Sequence, residues 1–507
     1  MEPAEATWKR ARPCSCRGGG GGSDRLSALP DCLLHVIMSS LKARQAVQTC
    51  VLSRRWRDLW RSVPCLDVDI NEFRANTAAP DLNQDAGSGG DGIPRSSDDA
   101  GSGGDSIPGS SDDSTSSDYS SSSSESDDIS DSDSNNSYDS FMMQLMPSPY
   151  YSSDVDNSKD WEKFEDFTAT LMNRCNIAQL DSFRLQIGWH RAPDQFYRTQ
   201  AGGWLRRAMK YCNPEPSSPR KGLSPSPWRL KRLHLCHSRL EDRFMKHVSS
   251  VCRSLEDLEL HDCNCQSRSV TSDSLKTLVL KNCTWLNLSE IALPTLKTLV
   301  IDGSHNISRS VLVILTPALA SLHLAVRIDQ FYGGISTNQM PSLVKASIHL
   351  RGHRYRTVSK HSKLGGDQFK LLCSISNVTS LELTGVGKTV LGEKPTFQEF
   401  MNLRNLLLDD CDLKNNFRTL GFFLQSSPNL EKLTLRHCKF PNYPKKKKGE
   451  PKLNKTSSSE FRGLDFMCAN LKVEIICSNG DAHELVKVLL DASRNLSKKN
   501  IKFTKVN

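Results

Sequence analysis

A short pattern, L-x-x-L-x-L, recurs ten times between Leu180 and Arg436 and narrows the choice of fold more than any other feature. It reads "LDSFRLQI" from Leu180, "LKRLHLC" from Leu230, "LEDLELHDC" from Leu255, "LKTLVLKNC" from Leu275 and "LKTLVIDGS" from Leu296. "LASLHLAV" from Leu319, "LVKASIHL" from Leu343, "VTSLELTG" from Val378, "LRNLLLDDC" from Leu403 and "LEKLTLRHC" from Leu430 complete the series. The last two apolar residues of each unit alternate with polar ones, so they point inward from a short strand while their neighbours face outward. The first leucine packs where the chain enters that strand. One unit cannot bury its own apolar face, but stacked units share a continuous core.

Most starts lie about 20–27 residues apart, the period of leucine-rich repeats. Cys263, Cys283, Cys411 and Cys438 each stand eight residues after a first leucine, where a small side chain buries in the turn leaving the strand. The pattern also disposes of "LTGVGKTVLGEKP" as a nucleotide site. A P-loop needs a glycine five residues before Gly387, and Glu382 stands there; Gly392 and Pro395 interrupt the helix that should follow. Leu381 and Leu383 are already the inward pair of a repeat, so GVGKT is expected to be the turn leaving its strand.

The chain has 507 residues, and its 17 cysteines are expected to be thiols in a reducing compartment rather than a disulfide framework. A metal site from Cys263 with Cys265, or Cys14 with Cys16, lacks second ligand pairs at zinc spacing. No metal, cofactor or catalytic residue is therefore assigned. His237, His261 and His437 are expected in solvent-facing turns after repeat strands. No run of apolar residues is long enough to cross a membrane, and the first residues lack the apolar core of a secretory signal. The expectation is an intracellular protein with no membrane partner.

The net charge of +9 hides a division. Between Arg95 and Lys159 there is no Lys or Arg but there are fourteen Asp and Glu, which leaves about +23 on the rest of the chain. Residues 76–158 are mostly Ser, Asp and Gly, include a tandem copy ("DAGSGGDGIPRSSD", "DAGSGGDSIPGSSD"), and are expected to be disordered. Residues 1–23 are expected to be disordered as well. The basic remainder, for example "IHLRGHRYRTVSKHSK" at 348–363, suits an acidic or phosphorylated protein partner, and the acidic insert carries the charge to compete for that surface. No reading helix or stacking aromatics accompany the basic residues, so nucleic acid is not an expected partner.

Residues 24–70 read as three short helices. Leu33, Leu34, Ile37, Met38 and Leu41 fall at helical spacing after Pro30, and Ala46, Val47, Cys50 and Val51 mark a second helix over about 43–52. Ser53 is placed to cap a third, with Trp56, Leu59 and Trp60 on one side and Pro64 ending it. Three helices in some forty residues carry more apolar surface than they can bury among themselves, so a docking face is expected.

"DRLSALPDCLL" and "VLSRRWRDLW", at their mutual spacing, closely resemble the plant form of the F-box. The resemblance implies docking on a Skp-type linker protein and through it a cullin, in an SCF ubiquitin ligase whose target this chain selects without itself performing catalysis. It implies Leu29 and Pro30 inserting into the linker, with Leu33, Ile37, Leu41, Val47, Leu52 and Trp56 building or extending the contact, some of them serving as core. "WEKFEDFTATLMNRC" and "GGWLRRAMKYC" resemble the entry segment of plant F-box/leucine-rich-repeat proteins, with Trp204 on a helix against the next strand. "ELVKVLLDASRNL" resembles the FBD module, whose helix over about 483–495 would cap the solenoid.

The expected fold is thus α/β: an N-terminal three-helix F-box at 24–70, a long disordered acidic insert at 76–158, and a leucine-rich-repeat solenoid (α/β horseshoe) at 159–440. A basic loop at 441–459 and an FBD-like segment at 460–507 follow. The insert, which the family pattern lacks, argues against obligatory contact between F-box and repeats. Lys445, Lys446, Lys447 and Lys448 form a candidate nuclear import signal, so nucleus and cytoplasm are both open. The alternative to a ligase adaptor is a ubiquitin-independent interaction scaffold.

Overall fold

A computed structural model describes Leu26 and residues 28–73, 154–188, 202–209, 230–351, 371–385, 399–440 and 468–505, apart from a few positions within those ranges. Among the described residues thirteen strands form one parallel sheet whose order follows the chain. Each L-x-x-L-x-L unit starts its strand two residues after its first leucine, as in Arg232–Cys236, Asp257–His261, Thr277–Lys281 and Thr298–Asp302. The inward pairs, such as Leu233 with Leu235 and Leu381 with Leu383, are buried, and they stack directly on their counterparts in adjacent strands.

The turn after each strand has a repeating chemistry. Seven residues after the first leucine, the backbone adopts positive φ at His237, Asp262, Asn282, Gly303, Gly385, Asp410 and His437. Glycine takes this conformation without strain, and Asn, Asp and His tolerate it better than most residues. A side chain at Gly303 would also collide with the Asn282 amide oxygen. The next residue is small and buried, and it donates to a carbonyl of the preceding repeat: Cys263 to Leu235 (3.4 Å), Cys283 to Leu260 (3.2 Å), Ser304 to Leu280 (3.1 Å), Cys411 to Leu383 (3.5 Å) and Cys438 to Leu408 (3.3 Å). Gly385, which opens the GVGKT region, is one of these turn residues and donates to the Asp409 carbonyl at 3.0 Å. Residues 386–398 lie outside the described part.

Between about 239 and 340, apart from the helix at Asp242–Ser250, the described returning side of the solenoid is made of short strands. Two four-stranded parallel sheets run there, one through Ser269–Thr271, Glu290–Ala292, Leu312–Leu315 and Ile335–Thr337. The other joins Arg239–Leu240, Asn264–Cys265, Thr284–Trp285 and His305–Asn306. Repeats of 20–24 residues are too short for a full helical return, and the longer ones supply helices at Asp242–Ser250 and Arg418–Gln425.

The N-terminal helices are α1 (Asp31–Met38), α2 (Ala43–Gln48, continued as a 3₁₀ turn at Thr49–Val51) and α3 (Trp56–Leu59, continued at Trp60–Ser62). Ser53 does not cap α3 with its hydroxyl; its carbonyl accepts from the Trp56 amide at 3.1 Å. The expected independence of these helices from the repeats is overturned. Residues after α3 form strand β1 (Cys65–Asp69), which pairs in parallel with β2 (Ser182–Gln186), so the cassette supplies the first strand of the horseshoe sheet. Alternating Leu66 and Val68 are buried beside Phe183 and Leu185.

Helix α4 (Asp154–Arg174) starts inside the stretch expected to be disordered and carries the chain back to this junction. There the amide of Asn176 donates to Arg61 (2.7 Å) and that of Asp181 to Pro64 (2.7 Å). Phe73 packs edge-on to Phe164, with ring centroids 5.6 Å apart, and against Phe167 at 5.3 Å. Trp204, on the helix at 202–208, packs edge-on to Phe164 of α4, with ring centroids 6.0 Å apart. At the other end, Lys472–Cys477 and Ile501–Lys505 add two further strands to the sheet, with the helix His483–Ala492 between them. The FBD-like segment therefore extends the sheet, and its buried Leu485 and Leu489 complete the core.

Candidate docking site

The sequence of α1 is apolar almost all round: Leu33, Leu34, Val36, Ile37 and Met38 in one eight-residue helix. One side is spent on the cassette's own core, where Leu34 and Met38 are buried with Ala43, Ala46, Trp56, Leu59 and Trp60. The other is left in solvent: Leu33, Ile37 and Val36 are exposed, Val36 to 66%. The end of the second helix adds Val51 at 84% and Leu52 at 61%, and Leu26 before α1 is exposed as well. Six large apolar side chains at the surface of a forty-residue cassette exceed scattered exposure and make this surface the candidate docking face.

Ion pairs hold this face in shape. Arg55, just before α3, donates from Nε to Asp31 at 2.9 Å and from Nη2 to the Leu29 carbonyl at 2.5 Å, tying the start of α1 to α3. Lys42 pairs with the buried Asp69 of β1, and Arg44 donates to the Glu72 carbonyl while its guanidinium lies 4.7 Å from the Phe73 ring centre. The helices are thereby fixed to the sheet at several points.

The structure distributes the sequence-chosen residues over both sides. Leu33, Ile37 and Leu52 are exposed and Pro30 is at the surface; Leu29, Leu41 and Val47 are half-buried against the core; Trp56 is buried and belongs to that core. Val36, Val51 and Leu26 are exposed but absent from the sequence-chosen set. Lys445 to Lys448 lie outside the described residues.

A second surface is the outward face of the thirteen strands. Its side chains form rows at sheet spacing, and toward the C-terminal end they make a charged network. Arg436 donates to Asp409 at 2.8 Å and lies 3.7 Å from Glu382, which accepts from Ser347 at 3.1 Å. Burial works to raise the Asp409 carboxyl, but Arg436 and His437 outweigh it and hold it below its ordinary range. Further along, Lys432 and Lys502 both face Glu474, at 3.3 and 3.4 Å, beside Lys472 and Lys499 around a cavity of about 410 Å³.

An N-terminal helical cassette with an exposed apolar face, joined to a parallel-strand sheet, is the arrangement of an F-box followed by leucine-rich repeats. Family models agree: the F-box domain matches residues 26–67, and the leucine-rich repeats of an FBD-associated F-box protein match residues 176–340. The relatives are plant proteins. The rice (Oryza sativa subsp. japonica) "MEIOTIC F-BOX protein MOF" is 28% identical over 505 residues, covering 92% of this chain and 83% of its own. The "F-box/FBD/LRR-repeat protein At5g22660" of Arabidopsis thaliana is 56% identical over 52 residues, 10% of this chain and 12% of that one. The "FBD-associated F-box protein At5g18780" of the same plant is 54% identical over 54 residues, 11% and 12% of the two chains. F-box domains generally bind Skp-type proteins in SCF complexes, and neither matching family model is that of an enzyme.

Proposed function

We propose that this chain is the substrate-recognition adaptor of an SCF-type (Skp–cullin–F-box) E3 ubiquitin ligase. Its F-box docks on the Skp-type linker, and its repeats hold a target protein. The observation that carries the reading is the apolar face of Leu33, Val36, Ile37, Val51 and Leu52, left exposed on a cassette whose core is already complete. The adaptor performs no covalent step. It raises the local concentration of the target beside a charged conjugating enzyme and so makes the encounter nearly intramolecular. The continuous sheet from β1 onward supports a fixed distance between the linker and the target. The outward rows of the solenoid, with Lys432, Lys472, Lys499 and Lys502 at one end, favour an acidic or phosphorylated target.

The test is capture of a purified Skp-type linker by the full chain, beside a Val36→Asp/Val51→Asp double variant. Both side chains are exposed, so the variant folds, and binding is expected to fall by more than about thirtyfold, the loss of two apolar anchors. Undiminished capture by the variant, or no capture by the wild type, would refute the docking assignment. Linker binding without ubiquitination of any captured target would favour the scaffold alternative. We also propose that Lys445 to Lys448 direct nuclear import; an unchanged distribution after replacing all four would dismiss that.

A further inference from the structure

The outward rows of the sheet bring together three side chains that the sequence separates. Strand Arg232–Cys236 presents His234 and Cys236, and the neighbouring strand Asp257–His261 presents Glu259 and His261; in the ladder Cys236 stands opposite His261, and His234 opposite Glu259. His234 Nε2 lies 3.2 Å from His261 Nδ1 and 3.1 Å from Cys236 Sγ, and all three atoms fall within 4.8 Å of one another. Cysteine with cysteine gives no zinc spacing in this chain. The structure pairs them with histidines across a repeat.

We propose that His234, Cys236 and His261 form a zinc site on the outward face of the sheet, with its fourth position open to the solvent or to a side chain of a bound partner. Two observations support it independently of the docking reading. The spacing fits: a tetrahedral zinc with bonds of about 2.0–2.1 Å to nitrogen and about 2.3 Å to sulfur has ligand edges of about 3.3 Å (N···N) and about 3.6 Å (N···S), and the two edges at His234 Nε2, 3.2 Å to His261 and 3.1 Å to Cys236, come within about half an ångström of these. Finally, Glu259 Oε2 lies 3.6 Å from His234 Nδ1 and 3.7 Å from His261 Nε2, the two nitrogens that face away from the site. A carboxylate behind both imidazoles is the usual outer support of metal-bound histidine.

The surrounding charges are compatible with a divalent ion. Arg184 lies beside Cys236. Lys281 is the other nearby cation, and Glu259, Asp262 and Asp69 are the nearby anions. Binding zinc releases the Cys236 proton to solvent and replaces it with the Zn–S bond. Cys263 and Cys283 do not compete, because they face the core and donate to the Leu235 and Leu260 carbonyls.

The test is titration of the metal-free full chain with Co²⁺ and then Zn²⁺, read by absorption and by thermal unfolding. The expected result is one Co²⁺ per chain, with thiolate charge-transfer absorption and intense visible bands of four-coordinate cobalt, bleached by Zn²⁺. Zn²⁺ should also raise the melting temperature. Cys236→Ser should remove the charge-transfer band, and His234→Asn/His261→Asn should abolish tight binding, while Glu259→Gln weakens it by about tenfold or more. These side chains face outward, and far-ultraviolet circular dichroism identifies any variant that fails to fold. No cobalt spectrum from the wild type, or a spectrum and zinc-dependent melting unchanged in both ligand variants, would overturn the proposal.

Discussion

Whether the docking face and the repeats behave as one body can be decided at Phe73. Its buried ring belongs to the last described residue before the insert, and it wedges between Phe164 (5.6 Å) and Phe167 (5.3 Å) of α4 under the Arg44 guanidinium. Phe73→Ala deletes that wedge, and a buried Phe→Ala change costs about 3–5 kcal/mol. The β1–β2 ladder and the amide bonds from Asn176 and Asp181 remain, so the cassette should loosen without the sheet dissolving. In a solenoid such a loss stays close to its origin, because each unit leans mainly on its neighbours. The assay is native-state hydrogen exchange on the full chain. In the wild type, amides of α1, α2 and α3 should open together with those of β1 and β2. In the variant, protection of the three helices should fall by about two to four powers of ten, at 1.4 kcal/mol per power, while strands beyond Asp257–His261 keep theirs. Helices that already exchange independently in the wild type, or that keep their protection in Phe73→Ala, would refute the rigid junction.

Further predictions follow from the same structure. Removing residues 79–149 should leave the melting temperature within a few degrees of the wild type, because Phe73 and α4 already meet; a large drop would show that the insert contributes to the core. Phe400→Ala, at a fully buried ring 6.3 Å from Phe423, should cost about 3–5 kcal/mol in urea unfolding, and a cost under about 1 kcal/mol would contradict its place in the core. Acid should weaken the metal-free fold below about pH 6.5. Burial lowers His234, His247, His261, His305 and His323, so the unfolded chain binds protons that the folded chain refuses, and stability present above the ordinary histidine range is lost as pH falls toward the folded values. Each such histidine contributes a slope of up to about 1.4 kcal/mol per pH unit, and stability that is flat or rising from pH 7 to pH 5 would refute this.

How far a sequence like this can be read depends on which residues the core constrains. The ten repeat strands were legible because inward leucines alternate with polar residues, and a one-residue slip would expose the whole row. Strand β1 carried the same signal in Leu66 and Val68, yet it was read as the end of the cassette. Its partner, β2, lies more than a hundred residues on, beyond the insert, and periodicity does not report which distant strand pairs with which. In α1 the apolar residues run round the helix, so spacing could not separate Leu34 and Met38, which fill the core, from Val36, which does not. Trp56 of α3, which the F-box resemblance leaves open as contact or core, is core. Outward residues of the repeats are freest of all, since nothing in the apolar pattern fixes them. The neighbours His234, Cys236, Glu259 and His261 therefore appear only when "LHLC" and "LELH" are written beneath each other at the register of the ladder. That operation needs only the repeat boundaries, which the sequence supplies. The chemistry of the outward strand face can thus be read in chains of this kind once the repeats are aligned strand on strand, whereas the junction with the F-box needs the fold itself.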